Sequence, residues 1–156
     1  MYNHAPENYK CALCLAVQGR EEEPSLVKKD DIFYQDDAIT AFVSSYIYSN
    51  SPGHVVIIPN MHQENLYDLG VEKGHKIMDF SREVAIALKK VLDADGTSVQ
   101  QHNEPAGNQH VFHYHMHVFP RFENDELYSG MSKKRLATDD EKKKLADKLK
   151  EVINFI

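Results

Sequence analysis

Apolar positions recur along the chain with two different periods, and the period changes where turn-forming residues cluster. In "IFYQDDAITAFVSS" (32–45), β-branched and aromatic residues flank an acidic pair, which predicts strand, tight turn at Asp36-Asp37, strand. "HVVIIPN" (54–60) is a continuous apolar run ended by Pro59 and reads as a buried strand. Ile77, Phe80, Val84, Leu88, Val91 and Leu92 then recur at three- and four-residue steps, predicting an amphipathic helix over about 72–93. Asp95-Gly96 breaks it. "TSVQQHN" (97–103) and the run 110–119 follow as strands, separated by the tight polar loop "EPAGN" (104–108).

Near the end, Thr138 and Glu141 have the spacing of a capping box. The stripe Leu145, Leu149, Val152, Ile153 and Ile156 predicts a C-terminal helix over about 139–155, with its lysines on a solvated face. "ENLYDLG" (64–70) reads as a short helical turn, and "GREEEP" (19–24) and "SNSPG" (49–53) as loops. The expected fold class is α+β: a mostly antiparallel sheet of about five strands, a long central helix and a C-terminal helix, in one domain over 1–156.

Composition narrows the possible partners. The 18 Lys+Arg stand against 24 Asp+Glu, a formal net charge of −6. That argues against a general binder of nucleic-acid polymer, whose affinity comes from neutralising phosphates. A small phosphorylated ligand at a locally cationic site stays open. No apolar run is long enough to predict a membrane span. "MYNHAPENYKCALC" carries no basic, apolar leader pattern, so the expected compartment is the cytoplasm.

The stretch that changes the picture is "VFHYHMHVFP" (111–120). Strand side chains alternate faces, so His113, His115 and His117 share one face while Phe112, Tyr114, Met116 and Val118 share the other. Adjacent histidines are about 7 Å apart at the backbone and the outer pair about 13 Å, from the strand rise. Histidines on a solvated face without a function are the plain alternative, but three titratable rings are seldom lined up by packing alone. A metal ion takes at most two neighbours of the row. Alternatively, the central histidine is a nucleophile towards phosphorus: a neutral ring nitrogen attacks while a hydrogen bond to the other nitrogen fixes the tautomer.

Cys11 and Cys14 form a Cys-x-x-Cys pair, for which zinc and redox chemistry compete. The redox reading expects a thioredoxin-like βαβ context, which "YKCALCLAVQG" lacks. Zinc prefers four tetrahedral Cys and His ligands.

Taken together, "HVFHYHMHVFPRF", Asn103 and Gln109 upstream of it, "SPGHVVIIPNMH" (51–62), "DDAITAF" and "CALC" resemble the histidine triad (HIT) superfamily. These motifs run in the family's order from Cys11 to about Arg121. The resemblance implies nucleotidyl hydrolysis or transfer. His115 would attack the α-phosphorus of a nucleoside or dinucleoside polyphosphate to form a nucleotidyl-histidine, and His117 would hydrogen-bond the α-phosphate. Asn103 and Gln109 match positions that contact phosphate or leaving group; Leu13 and Phe42 match the base pocket. This chain resembles members whose N-terminal cysteine pair and two histidines bind zinc, which would place the ligands on Cys11, Cys14, His54 and His113. A homodimer is the family's expected assembly.

Some residues fall outside that pattern. Ser44, Ser45 or Asn50 stand where a ribose-contacting carboxylate or Asn is usual, and Asn108 where the family has glycine. His110 replaces the usual Ser or Thr near the phosphate, as an extra donor or a tolerated neighbour. His62, His75 and His102 read as surface or packing residues, His4 as part of a frayed terminus, and Arg121 as a local counter-charge. Three other activities are compatible with the sequence: a nucleoside phosphoramidate hydrolase, a metal-dependent hydrolase using the His-x-His pair as ligands, and a non-catalytic nucleotide-binding regulator.

Overall fold

The computed structural model describes residues 2–48, 51–128 and 133–153. Asn50, Ile156 and the last residues of the expected C-terminal helix lie outside them. The chain runs α1 (Ala12–Val17), β1 (Ile32–Gln35), β2 (Ile39–Val43), β3 (Tyr46–Tyr48), β4 (Val55–Pro59), α2 (Val71–Leu92), β5 (Gly96–Gln101), β6 (Met116–Arg121), β7 (Lys134–Leu136) and α3 (Asp139–Val152). Five strands form one antiparallel sheet in the order β1-β2-β4-β6-β5, and β3 pairs with β7 in a separate ribbon. This is the expected α+β architecture.

Strands β2 and β4 are buried along their whole length because both faces of the sheet are covered. Ala41, Val43, Val55 and Ile57 face α2 and α3, meeting Ile77, Val84, Leu88, Leu145 and Leu149 in the main core. Phe42, Val56 and Ile58 point the other way, against Leu13, Ala16 and Val27. The Thr138–Glu141 capping box forms as its spacing predicts. Lys142 of α3 reaches Asp31 at 2.6 Å, both almost fully buried, and ties the helix to the turn just before the sheet's first strand.

Three elements escape the hydrophobic pattern. Helix α1 has six residues, too short to show a period, and β3 and β7 have three each. The expected strand over 110–119 is displaced towards the C-terminus. Met116 is the first residue with partners on both sides, Ile57 in β4 and Gln101 in β5. Upstream of it β5 has ended at Gln101 and the pairing with β4 stops at Ile57, and the His113 N–H donates to the Val111 carbonyl (2.9 Å) in a bend. Tyr114, Met116 and Val118 are buried as alternation requires, whereas Phe112 is half-buried against Tyr9 and His4. His4 is not frayed: its ring meets Glu104 at 2.9 Å and its backbone N–H donates to Glu64.

Candidate functional site

The histidine row divides between two groups of side chains. At its start, the bend before β6 turns His113 inward, fully buried, towards the N-terminus of α1. Cys11 caps that helix, its sulfur accepting the Cys14 N–H, so the two-residue spacing brings both thiols together on the first turn. His113 Nδ1 lies 3.4 Å from Cys11 Sγ and 3.5 Å from Cys14 Sγ, and His62 Nδ1 lies 3.3 Å from Cys14 Sγ. The four donor atoms lie within 4.8 Å of one another. Tetrahedral coordination at ordinary Zn–S and Zn–N lengths puts sulfur and nitrogen about 3.6 Å apart, so the donor set fits a zinc-sized ion.

The protonation chemistry suits ligation. His113 Nε2–H donates to the Pro59 carbonyl (2.9 Å), which leaves Nδ1 as the lone pair. Burial brings the pKa of His113 down to about 4 and keeps it neutral. Burial, with Cys11 beside it, pushes the Cys14 thiol up to about 12, a penalty that a bound cation reverses.

The fourth residue of this cluster is His62, not His54 as expected. Strands β4 and β6 are antiparallel, with Ile57 opposite Met116 and Val55 opposite Val118. The N-terminal end of the row therefore meets the C-terminal end of β4, where Pro59 leads to His62. His54, just before β4, is carried to the opposite end. The antiparallel sheet expected from the sequence contained the signal that separates these two histidines.

His54 instead serves the second group. Gly53, at φ +128°, turns the chain so that His54 enters β4 fully buried, stacked on Phe119 with ring centroids 4.1 Å apart. Its Nε2 lies 3.1 Å from His117 Nδ1. His115 Nδ1–H donates to the His113 carbonyl (2.7 Å), so its other nitrogen, Nε2, carries the lone pair. The His115 and His117 rings stand edge to face, 5.0 Å apart. Burial, chiefly, depresses all three imidazoles: His54 to about 3, His117 well below its ordinary value and His115 in the same direction. Neighbouring rings add to the effect. The result is a neutral nucleophile candidate with a neutral neighbour.

These two rings lie between two cavities on the sheet face away from α2. The larger, about 380 Å³, is walled by Leu13, Phe42, Val56 and Leu26, with Ser44 and Ser45 at one side. The Ser45 hydroxyl donates to the Leu26 carbonyl (3.0 Å), and Ser44 Oγ accepts the Tyr46 N–H (3.2 Å). The smaller, about 150 Å³, has Tyr46, Tyr48, Gln100, His102 and Lys134 in its wall, and His110 borders both. His102 and His62 are thus site-facing residues that sequence reasoning assigned to surface or packing.

Asn103 and Gln109 line neither cavity. The Gln109 amide donates to the Glu64 and Val111 carbonyls and accepts the Glu104 N–H (2.6, 3.1 and 2.7 Å). Asn103 accepts the Leu66 N–H (2.7 Å) and pairs with Gln101. Both hold the loop preceding the row. Asn108 adopts φ 72°, ψ 25°, a left-handed conformation that Asn tolerates in place of glycine. Arg121 makes a two-pronged pair with Asp125 (2.6 and 2.7 Å) and donates to Ser98 (2.9 Å), in keeping with a local counter-charge.

An antiparallel sheet that presents aligned neutral histidines to a cavity, beside a Cys/His cluster, defines a histidine triad type of fold and site. The HIT domain family matches residues 25–124, and the chain belongs to that family. A HIT-like protein of Saccharolobus solfataricus is 30% identical over 115 residues, 74% of this chain and 76% of that protein. The purine nucleoside phosphoramidase of Escherichia coli is 33% identical over 103 residues, 64% and 78% of the two chains. Among solved structures, a HIT-like protein from Bartonella henselae superposes with TM-score 0.78 at 27% identity, covering 96% of this chain and 99% of its own. A Zn-bound histidine triad family protein from Mycobacterium smegmatis gives TM-score 0.72 at 23% identity, covering 92% and 93%.

Proposed function

We propose that this protein is a nucleotidyl hydrolase that attacks the α-phosphorus of a nucleoside or dinucleoside polyphosphate. The observation that carries the reading is the Nδ1–H bond from His115 to the His113 carbonyl, which leaves Nε2 as a neutral nucleophile between two cavities. In the first half-reaction, the Nε2 lone pair forms a bond to phosphorus and the bond to the leaving oxygen breaks, giving a nucleotidyl-imidazole. In the second, water attacks phosphorus, the N–P bond breaks, and its electron pair returns to Nε2; the water's proton passes to solvent.

His117 supports both steps. When His54 donates Nε2–H to His117 Nδ1, the proton of neutral His117 sits on Nε2, available to a phosphate oxygen that gains charge. The apolar cavity walled by Leu13, Phe42 and Val56 suits a nucleobase.

The ligand cluster is assigned to zinc on Cys11, Cys14, His62 and His113. The donor spacing supports it, as does the fold's likeness to a Zn-bound HIT protein. Zinc there acts as a structural cross-link between α1, the loop after β4 and the start of the row. The functional unit is taken as a homodimer in the cytoplasm, which light scattering and fractionation test. No helix among the described residues is long and apolar enough to cross a membrane.

The deciding experiment incubates the protein with diadenosine tetraphosphate and with adenosine 5′-phosphoramidate, then quenches early for peptide mass spectrometry. An adenylyl group on His115 is expected, and His115→Ala should remove both the adduct and turnover by about 10³-fold or more. A His115→Ala protein with wild-type activity would falsify the assignment.

A further inference from the structure

The start of the histidine row is held from outside the sheet. Residues 111–115 precede β6 and pair with neither β4 nor β5. Their backbone N–H groups therefore need other acceptors. The His113 N–H finds the Val111 carbonyl within the bend, the Tyr114 N–H finds the Gln63 carbonyl (2.6 Å), and the Phe112 N–H finds the hydroxyl oxygen of Tyr9 (3.1 Å). Of these three acceptors only Tyr9 is a side chain, and it comes from the segment before α1.

Tyr9 is itself fixed. Its N–H donates to the Pro6 carbonyl (3.1 Å). Just upstream, the N–H groups of His4 and Ala5 both donate to the buried carboxylate of Glu64, whose own carbonyl accepts the Gln109 amide (2.6 Å). The Tyr9 ring stands edge to face on Phe112, with centroids 5.7 Å apart, and borders the larger cavity. The segment 4–9 therefore reaches the stretch before β6 at two points, through Glu64 at Gln109 and through its own hydroxyl at Phe112.

We infer that Tyr9 is a positioning residue for His115: its hydroxyl holds the Phe112 N–H, and with it the His113 carbonyl that fixes which nitrogen of His115 carries the proton. The effect on turnover rests on the proposed attack by His115, whereas the effect on the imidazole is a property of the folded chain alone. The His113 carbonyl and the Tyr114 N–H belong to one planar peptide. Gln63 secures one edge of that plane, and the His115 Nδ1–H bond uses the other. The Phe112 N–H lies two peptides upstream, at the other end of the bend. Without the Tyr9 oxygen that end is released, the carbonyl drifts from His115 Nδ1, and in a fraction of molecules the proton moves to Nε2. That tautomer has no Nε2 lone pair to offer phosphorus. The chemical step slows while binding is kept, because the Tyr9 ring still borders the larger cavity.

The test is Tyr9→Phe, which removes one oxygen and keeps the ring. Tyr34→Phe is the control: it loses a comparable hydroxyl bond, to Asp36 (2.7 Å), on β1, which two strands separate from β6. Nitrogen NMR of the imidazoles reads the His115 tautomer, assigned by the signals that His115→Ala lacks. Steady-state kinetics with diadenosine tetraphosphate gives kcat and KM, and thermal melts confirm that each variant folds. In the wild type the proton of His115 should sit on Nδ1. In Tyr9→Phe the two nitrogen shifts should move towards each other, and kcat should fall about 3-fold to 10-fold with KM held within about 2-fold. Tyr34→Phe should match the wild type in both readouts. An unchanged His115 tautomer in folded Tyr9→Phe overturns the inference. So does a KM that rises while kcat holds, which makes the hydroxyl a substrate contact, and so does an equal fall of kcat in Tyr34→Phe. If the wild type turns over no substrate and carries no adduct on His115, the hydrolase reading falls, and the tautomer measurement alone decides the role of Tyr9.

Discussion

The two groups share the same histidine row, yet they are organised in opposite ways. In the Cys/His cluster, four donor atoms converge from three separate segments onto one point. At the other end of the row, His54, His115 and His117 do not converge; each is oriented by its own hydrogen bond or stack. What distinguishes the two is which ring nitrogen a backbone carbonyl occupies. Pro59 occupies His113 Nε2 and directs Nδ1 at the sulfurs, while the His113 carbonyl occupies His115 Nδ1 and leaves Nε2 as the lone pair. His113 therefore belongs to both groups, with its ring in one and its carbonyl in the other.

That shared residue makes the difference testable. The largest effect is expected from Cys11→Ser, which removes one thiol of the proposed zinc site. Bound metal should fall below one per chain by elemental analysis. The protein should lose about 3 kcal/mol or more, a drop of roughly 6–12 °C in Tm. Because the His113 carbonyl orients His115, turnover should fall as well; a variant that loses its metal but keeps full activity would show the two groups to be independent.

His54→Leu breaks the other side of the comparison. The metal content should stay at the wild-type level, since His54 is remote from the cluster. Removing the partner of His117 Nδ1 should lower kcat about 10-fold to 100-fold, the range of one lost hydrogen bond to a buried group, with KM changed less. His54→Gln keeps an N–H donor and should recover part of the loss. Metal lost together with activity in His54→Leu would return His54 to the ligand set.

The smallest effect is a pH dependence of stability. Burial holds His54 neutral in the fold down to about pH 3, whereas in the unfolded chain it titrates near its ordinary value of about 6.5. The unfolded chain therefore binds the additional proton as the pH falls through about 6.5. Stability is complete above that value and declines below it, by up to about 1.4 kcal/mol per pH unit for this residue. Melting curves from pH 8 to 5 should show Tm falling below about pH 6.5, and His54→Gln should flatten the slope. A Tm that rises on acidification would contradict a buried neutral imidazole.

The core elements were legible in the sequence because their residues carry the pattern themselves. The 3.6-residue recurrence of Ile77, Val84 and Leu88 made α2 visible, and the unbroken run Val55–Pro59 announced a strand covered on both faces. The Thr138–Glu141 pair marked the start of α3. Helix α1 and the β3–β7 ribbon were not legible, since three to six residues are too few to establish a period. The N-terminal limit of β6 was hidden for another reason: alternation continues upstream of Met116, but β5 ends opposite it and the pairing with β4 stops there.

At the site, side-chain chemistry was legible and spatial pairing was not. The row of histidines and the cysteine spacing are local features that named a nucleophile candidate and a candidate ligand pair, while Leu13 and Phe42 followed from the family resemblance. His54 and His62 are both single histidines flanking β4, indistinguishable by type. Only the antiparallel register of β4 against β6 decides that His62 meets the cysteines and His54 meets His117. Likewise Gln109 and His102 are both polar loop residues. The folded loop turns the amide of one inward to three backbone groups and leaves the ring of the other in the wall of the smaller cavity. The sequence by itself determined which functional groups are present and which stretch of chain carries them. The tertiary structure decided which nitrogen meets which partner, because that depends on strands brought together from distant parts of the chain.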